Sequence, residues 1–457
     1  DQTNGVTLQI DGDMSLSGSA GFDADAAGTG DAIIYIDGNL SNTGTGTMNF
    51  ASGGGTQKIY LYLDGTFANS GGGTLSMNGA AAYGTYLVLE GSNSVVIPDD
   101  VTELHSLVVN KTAGRTVTIG DGNNLDIKGT STNIIVSGEL VIDPDTPYDV
   151  DGFTVVQANG RLTATGSAAR TFDGNVTIDG AMDLSGTGTR TIGDGAGTDI
   201  LSISASTSGA TLDLSNSTTT IEAELKFNDL GTLTAEGADL TFTGTQNVNF
   251  NNATFNVDDN TDLSFTGTNT ILNFPNVSEL QSLTLDDGTA AGSILTLATD
   301  LEIIDGITVD DGETLDIGTN TLTVNGSIDF AAGGANLGVL EFTTGAKLEV
   351  NGTVAAQNNW PTLNPDAASA TAITDLDLTI AGSGINALGA LPTTYVGFDD
   401  VIMNRVNQTL EFGAAATVGS LQIISGTVQA EEDADFTVTG TTNIQASGTF
   451  DGSSGTA

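Results

Sequence analysis

A short fragment recurs near the start of the chain at an almost constant interval. Each copy has the pattern apolar, variable, apolar, acidic, Gly. The copies are Leu8–Gly12, Ile34–Gly38, Leu61–Gly65 and Leu87–Gly91. The pattern is typical of a short strand with two side chains on one face, followed by a turn. A fixed period of this length indicates a solenoid, in which each unit buries its apolar face by stacking on the next.

The fold class that this repeat predicts is all-β, a parallel β-helix (β-solenoid). With about 23–27 residues in each coil, the 457 residues predict roughly 18 coils. Asp-Gly pairs are common in the chain, and these are also typical of β-hairpins. A tandem array of antiparallel β-sandwiches is therefore the alternative fold.

A second pair of repeats gives a test of the solenoid at the level of single residues. Asp239–Thr245 returns as Asp262–Thr268, a slightly shorter step than that of the first repeats. Parallel strands of adjacent coils lie about 4.8 Å apart, so equivalent side chains form ladders inside the solenoid. We therefore expect Leu240 to lie over Leu263 and Phe242 to lie over Phe265.

A longer repeat is superimposed on the coils. Val101–Asn110 returns as Val277–Asp286, and each copy follows a proline, Pro98 or Pro275. A weaker third copy follows Pro392. We predict N-terminal coils over residues 1–92 and cassettes over 93–268, 269–383 and 384–457, in one continuous solenoid.

These cassettes resemble those of bacterial or archaeal extracellular adhesin-like and surface-fibre proteins that form right-handed parallel β-helices. The resemblance covers most of the chain, but its motifs are structural. It implies display outside the cell or on its surface, self-association and attachment. It carries no catalytic residues that could be transferred to this sequence.

The charge of the chain restricts its partners. There are 57 acidic and 10 basic residues, which give a net charge of −47. Such a chain repels the phosphates of nucleic acids and anionic membranes, so we expect no nucleic-acid binding. There is no apolar run long enough for a transmembrane helix, and we expect no membrane insertion.

The reactive side chains do not form a catalytic pattern. The chain has no cysteine, and His105 is its single histidine. Gln281 occupies the equivalent position in the second cassette, so we expect His105 to be a surface or edge residue. The bases are scattered, and only the pairs Lys111 with Arg115 and Arg170 with Arg190 could converge. We therefore predict that the protein is not an enzyme and needs no cofactor.

Calcium is the one metal that the sequence suggests. Asp143, Asp145, Asp149 and Asp151 lie close together in the sequence, in a segment with two prolines. Carboxylate oxygens are the ligands that a hard cation such as calcium prefers. The spacing matches neither an EF-hand nor the glycine-rich repeats of calcium-binding solenoids. A plain acidic loop is the alternative interpretation.

Taken together, these features predict a structural or interaction segment of an extracellular fibre, surface layer or adhesin. Strand edges at the ends of a solenoid are templates for another copy, so we expect end-to-end self-association into a homopolymer or filament. The alternative function is a β-helix protein that binds or degrades polysaccharide. Carboxylates and a base converging in one groove would favour an enzyme, whereas dispersed acids would favour the structural role.

Overall fold

The structure, a computed structural model, describes most of the chain. The described residues are 5–24, 30–50, 58–77, 84–120, 124–129, 133–195, 197–204, 209–227, 231–243, 247–250, 253–267, 271–286, 292–330, 337–365, 375–382, 388–431 and 435–452. They form two compact units, Asp1–Ala238 and Asp239–Ala457.

Unit 1 consists of strands and turns. Its strands are β1 (Val6–Ile10), β2 (Met14–Leu16), β3 (Phe22–Asp23), β4 (Ala32–Ile36), β5 (Leu40–Asn42), β6 (Met48–Asn49), β7 (Lys58–Leu63), β8 (Phe67–Asn69), β9 (Leu75–Ser76), β10 (Gly84–Gly91), β11 (Val95–Ile97), β12 (Glu103–Leu104), β13 (Ser106–Lys111), β14 (Thr116–Ile119), β15 (Leu125–Ile127), β16 (Asn133–Ile142), β17 (Tyr148–Val150), β18 (Thr154–Thr163), β19 (Arg170–Phe172), β20 (Val176–Ile178), β21 (Ala181–Asp183), β22 (Thr189–Ile192), β23 (Ile200–Ile203), β24 (Thr211–Asp213), β25 (Thr218–Ile221), β26 (Glu224–Phe227) and β27 (Thr232–Thr234).

Unit 2 has the same character. Its strands are β28 (Asp239–Phe242), β29 (Val248–Asn249), β30 (Thr254–Asn256), β31 (Asp262–Phe265), β32 (Ile271–Leu272), β33 (Glu279–Leu285), β34 (Ile294–Thr296), β35 (Leu301–Val309), β36 (Thr314–Asp316), β37 (Thr321–Val324), β38 (Ser327–Asp329), β39 (Val339–Phe342), β40 (Ala346–Val350), β41 (Thr362–Pro365), β42 (Leu376–Ile380), β43 (Gly397–Phe412), β44 (Ala416–Ala430), β45 (Phe436–Val438) and β46 (Thr442–Asp451). A 3₁₀ turn covers Gln357–Asn359.

The strands stack in parallel from coil to coil, which confirms the β-solenoid. In unit 1, β1, β4, β7 and β10 pair in parallel, and Leu8, Ile34, Leu61 and Leu87 occupy one register position. The repeat that opens the sequence is therefore the coil period. Strand pairs such as β17–β19 and β40–β42 are parallel as well. The alternative prediction of an antiparallel sandwich array is wrong, because these strands pair in parallel with strands of neighbouring coils and do not form hairpins.

The predicted ladder in unit 2 is also confirmed. Leu240 pairs with Leu263 and Phe242 with Phe265. The two phenylalanine rings stack with centroids 5.1 Å apart and planes 10° apart. Such ladders form the core, because alternate residues of most strands point inward and are buried.

The solenoid has about 16 turns, slightly fewer than the roughly 18 predicted. The reason is that coil length varies more than the first repeats suggest. Arg170 pairs with Arg190, whereas Ala346 pairs with Leu376, so the second of these coils is much longer than the first. The cassette boundaries at residues 93, 269 and 384 stay predictions. Among the described residues, no helix is long and apolar enough to cross a membrane.

Candidate cation site

The segment with the four predicted calcium ligands begins where β16 ends. Thr146 N donates to Asp143 O at 3.0 Å and Asp145 N donates to Asp143 Oδ1 at 3.1 Å, which closes a turn. The chain then enters β17, where Tyr148 and Val150 point inward and are buried. Asp149 lies between them and so faces outward, because successive side chains alternate between the two faces of a strand.

Coil register brings a third carboxylate to the second half of this segment. β17 pairs with β19 so that Val150 lies beside Phe172, and Asp173 N donates to Val150 O at 2.9 Å. One carboxylate oxygen from each of Asp149, Asp151 and Asp173 lies within 4.8 Å of the others. We call these three residues the acidic cluster.

The first half of the segment lies apart from the acidic cluster. Asp145 is exposed and accepts a hydrogen bond from Ser167 Oγ at 3.2 Å. The backbone at Asp143 is held from inside, where Arg170 Nη2 donates to Asp143 O at 3.0 Å. The structure therefore groups Asp149 and Asp151 with Asp173, and it does not group them with Asp143 and Asp145.

One lysine neighbours the acidic cluster. Lys128 Nζ lies 3.2 Å from Asp126, 3.8 Å from Asp151 and 4.0 Å from Asp149. Burial lowers the pKa of Lys128, but its contacts with these carboxylates outweigh burial and raise it. A single ammonium thus faces several carboxylates and cannot neutralise them all.

The pKa values of two carboxyl groups in the acidic cluster are raised. Partial burial, followed by repulsion from Asp149 and Asp151, raises the pKa of Asp173 to about 6. Burial also raises the pKa of Asp149, against the opposing effect of Lys128. The Oδ1 atom of Asp149 is buried and has no hydrogen-bond partner among the described residues.

These features fit a hard cation. Calcium binds oxygen at about 2.3–2.6 Å, so oxygens within about 5 Å of one another can share one ion. The acidic cluster supplies three such oxygens, and Oδ1 of Asp149 has no hydrogen-bond partner among the described residues. Calcium ordinarily takes six to eight oxygens. The calcium site predicted from the sequence therefore stays a prediction, with Asp173 as an additional candidate ligand.

Asp173 could have been found by aligning successive coils. Lys128, Asp151 and Asp173 each follow the last residue of a strand, namely β15, β17 and β19. Residues at equivalent positions of stacked coils lie side by side. When the acidic residues are considered along one loop only, the equivalent positions of Asp151 and Asp173 in neighbouring coils are missed.

The two predicted pairs of basic residues do not form a surface binding site. Arg170 and Arg190 are paired in register, but both are buried. The Arg190 guanidinium donates to the carbonyls of Leu184, Ala168 and Gly166 at 2.7, 2.8 and 2.9 Å. Lys111 is buried and donates to Glu90 O, whereas Arg115 is exposed.

Burial lowers the pKa of these interior bases. For Arg170, burial and the neighbouring Arg190 lower the pKa to about 10, with Asp143 and Asp145 opposing the shift. Arg405 in unit 2 is buried in the same way and donates to the carbonyls of Gly352, Val350 and Ala381. These bases satisfy backbone carbonyls and are withdrawn from any ligand on the surface.

His105 corrects one expectation. It is not a surface or edge residue, since only 2% of it is exposed. Its ring lies 4.5 Å from that of Tyr86, between centroids, and a Cβ at Gly129 would approach its Cδ2 within 2.9 Å. A glycine one coil on and a tyrosine one coil back thus leave room for the ring inside. The sequence suggested exposure because Gln281 occupies the equivalent cassette position.

Comparisons with known proteins do not add an identity. No protein-family model matches the chain, and no curated protein or solved structure matches it either. The fold and the sites described here are therefore the basis for the function proposed below.

Proposed function

We propose that this chain is a structural and interaction segment of an extracellular fibre, surface layer or adhesin, and that it has no catalytic role. The single observation that carries the proposal is where the bases lie. Lys111, Arg170, Arg190 and Arg405 are buried against backbone carbonyls. Stabilising the solenoid is the use this arrangement favours, since an enzyme needs its charged groups at the substrate.

The remaining ion pairs support the same proposal. Arg161 lies 3.1 Å from Glu139 and 3.3 Å from Asp183, on neighbouring coils. Lys226 and Lys347 each pair with a glutamate on the same strand, Glu224 and Glu349. Such pairs on the outer face of a sheet bridge neighbouring strands or neighbouring positions of one strand. They fit an acidic, solvated surface better than a catalytic groove.

Exposed apolar side chains suggest how copies could join. Val6 and Leu8 in β1 occupy inward register positions but are 46% and 37% exposed. Ile444 and Phe450 in β46 likewise pair with the buried Ile423 and Val428 and are 47% and 37% exposed. A further coil stacked on either strand would bury them. End-to-end self-association is therefore part of the proposal.

The experiment measures the size of the purified chain over a range of concentrations by analytical ultracentrifugation and electron microscopy. We expect filaments that lengthen with concentration. Phe450→Lys places a charge in the interior ladder and should shorten them strongly. Thr449→Lys is the matched control, because Thr449 faces outward on the same strand. A chain that stays monomeric at high concentration, with and without calcium, would refute the self-assembly.

A further inference from the structure

Unit 2 contains an uncharged groove at the corner that the second cassette repeat marks with Pro275. A cavity of about 580 Å³ is lined by Phe255, Asn256, Asn273, Phe274, Pro275 and Asn276 among others. A second cavity of about 360 Å³ adjoins it and shares Asn273 and Phe274. We call the two together the asparagine groove. Its size lies in the range typical of small-molecule and oligomer sites.

Aromatic packing builds the wall of the asparagine groove. Phe255 lies in β30, the strand that follows β29. The centroid of its ring lies 5.2 Å from that of the Phe250 ring. The Phe274 ring meets Phe250 edge to face, at 5.5 Å between centroids. Phe255 and Phe274 are both buried, and both line the groove.

Backbone conformation and hydrogen bonds position Asn273 and Asn276. Asn273 has a φ of 54°, in the left-handed region that asparagine adopts more readily than most residues. Its Nδ2 donates to Asn249 Oδ1 at 2.9 Å. Val277 N donates to Pro275 O at 2.9 Å and closes the following turn, which leaves Asn276 exposed on the groove side.

Apolar side chains continue the lining toward solvent. Leu272 lines the smaller cavity and is exposed. Ile294, in the neighbouring β34, is exposed as well. The asparagine groove thus combines amides, aromatic edges and exposed aliphatic groups. Its lining residues, as far as the structure describes them, carry no charge, although the chain as a whole has 57 acidic residues.

This chemistry selects one class of ligand. An anion would find no base in the described lining and would be repelled by the net charge of −47. A cation would find no carboxylate among the same residues and would be held better elsewhere on the surface. A wholly apolar ligand would bury the exposed Asn276 amide without giving it a hydrogen-bond partner, at a cost in free energy. A neutral polyhydroxyl chain satisfies the amides, which donate and accept hydrogen bonds, and covers the apolar surface with its C–H faces.

We propose that the asparagine groove binds a neutral oligosaccharide or polysaccharide. Asn256 and Asn276 hydrogen-bond its hydroxyls, while Phe274, Pro275 and Leu272 contact the apolar faces of its sugar rings. This goes beyond the structural role proposed above and does not depend on it. A segment displayed outside a cell would gain a contact with uncharged glycans, with no chemistry performed on them.

The test uses the full chain and isothermal titration calorimetry, at a concentration below that at which the chain assembles. The probes are neutral hexasaccharides of glucose, of mannose and of galactose, with hexagalacturonate as the charged counterpart. We expect saturable binding of at least one neutral hexasaccharide. Hexagalacturonate should bind at least tenfold more weakly, because its carboxylates meet no base in the described lining of the groove.

The groove is then tested with near-isosteric changes. Asn276→Asp and, independently, Leu272→Asn should each weaken binding at least fivefold, with unchanged circular dichroism. Asn159→Asp, at an exposed position on a strand of unit 1, is the matched control and should leave binding unchanged. Absence of binding to all three neutral hexasaccharides would overturn the proposal. Equal binding by the Asn276→Asp, Leu272→Asn and control variants would overturn it as well. Neither result affects filament formation, which is measured separately.

Discussion

The acidic cluster of unit 1 and the asparagine groove of unit 2 are built by the same rule, but the first is strongly negative and the described lining of the second carries no charge. In both, coil register places polar side chains of successive coils beside one another. In the acidic cluster the oxygens of three carboxylates lie within 4.8 Å, and the pKa of Asp173 rises to about 6. In the asparagine groove the Asn273 and Asn249 amides join at 2.9 Å.

The difference follows from what each side chain can do for its copy one coil away. An amide donates and accepts, so stacked amides satisfy each other, as Asn351 and Asn325 also do at 2.9 Å. An ionised carboxylate only accepts, so stacked carboxylates repel and need a proton, a lysine or a cation between them. In a solenoid, Asp at such a position therefore gives a negative surface that attracts cations, whereas Asn gives an uncharged, hydrogen-bonded surface.

In the interior, buried arginines donate hydrogen bonds to backbone carbonyls. Removing one of these arginines should have the largest effect on the free energy of unfolding. Arg190→Met would remove the guanidinium that donates to the carbonyls of Leu184 and Ala168, whereas Gly166 O would keep a backbone donor, Gly188 N at 3.1 Å. Each buried unsatisfied group costs about 1–3 kcal/mol, so we expect the two carbonyls to lower the free energy of unfolding of this region by about 2 kcal/mol or more. Hydrogen exchange of the β19 and β22 amides measures it.

Arg161→Met is the matched control for Arg190→Met. Its side chain is 49% exposed, and it pairs with Glu139 and Asp183 on the outer face. Exposed pairs contribute about 0–1 kcal/mol. If the two variants lost similar stability, the interior arginines would not be the groups that hold the coils of unit 1, and the contrast between interior and surface charge would fail.

The parts of the molecule that the sequence predicts are those governed by periodicity. The ladder of Phe242 and Phe265 could be read directly, because apolar alternation and coil length together fix the register. The acidic cluster was predicted only in part, since Asp173 joins Asp151 from the next coil, a relation that a reading along one loop does not show. The sequence indicated that Arg170 and Arg190 could converge, but it did not predict that the arginines would be buried. Only the folded backbone shows which carbonyls the guanidinium groups reach.

The second prediction tests the repulsion within the acidic cluster. The pKa of Asp173 is about 6 in the folded chain against 3.8 ordinarily, so the folded state holds its proton more tightly. Between these values the free energy of unfolding falls as the pH rises, and above about pH 6 the full penalty remains. Asp173→Asn removes the charge. We expect it to stabilise β17 and β19 above pH 6, by about 1 kcal/mol after allowance for solvent screening, and to have little effect below pH 4.

Hydrogen exchange of the β17 and β19 amides, measured from pH 4 to pH 8, checks this prediction. Asp435→Asn, at an exposed position of unit 2, is the control and should leave the exchange of unit 1 unchanged. A variant whose stability follows the same pH dependence as the parent would show that Asp173 does not carry the repulsion. The acidic cluster would then resemble an ordinary solvated surface, and its contrast with the asparagine groove would weaken.

The third and smallest expected effect concerns calcium and decides between two sets of ligands. With a dissociation constant of about 1 mM, as for weak extracellular sites, about 1 mM calcium stabilises the folded chain by about 0.4 kcal/mol. Asp151→Asn should abolish this protection of the β17 amides, because Asp151 belongs to the acidic cluster. Asp145→Asn should preserve it, because Asp145 faces Ser167 instead. Equal loss in both variants would favour the whole loop from Asp143 to Asp151 as the site. No protection of the parent chain would remove calcium from this surface, and Lys128 would then be the only cation shown to face these carboxylates within the described residues.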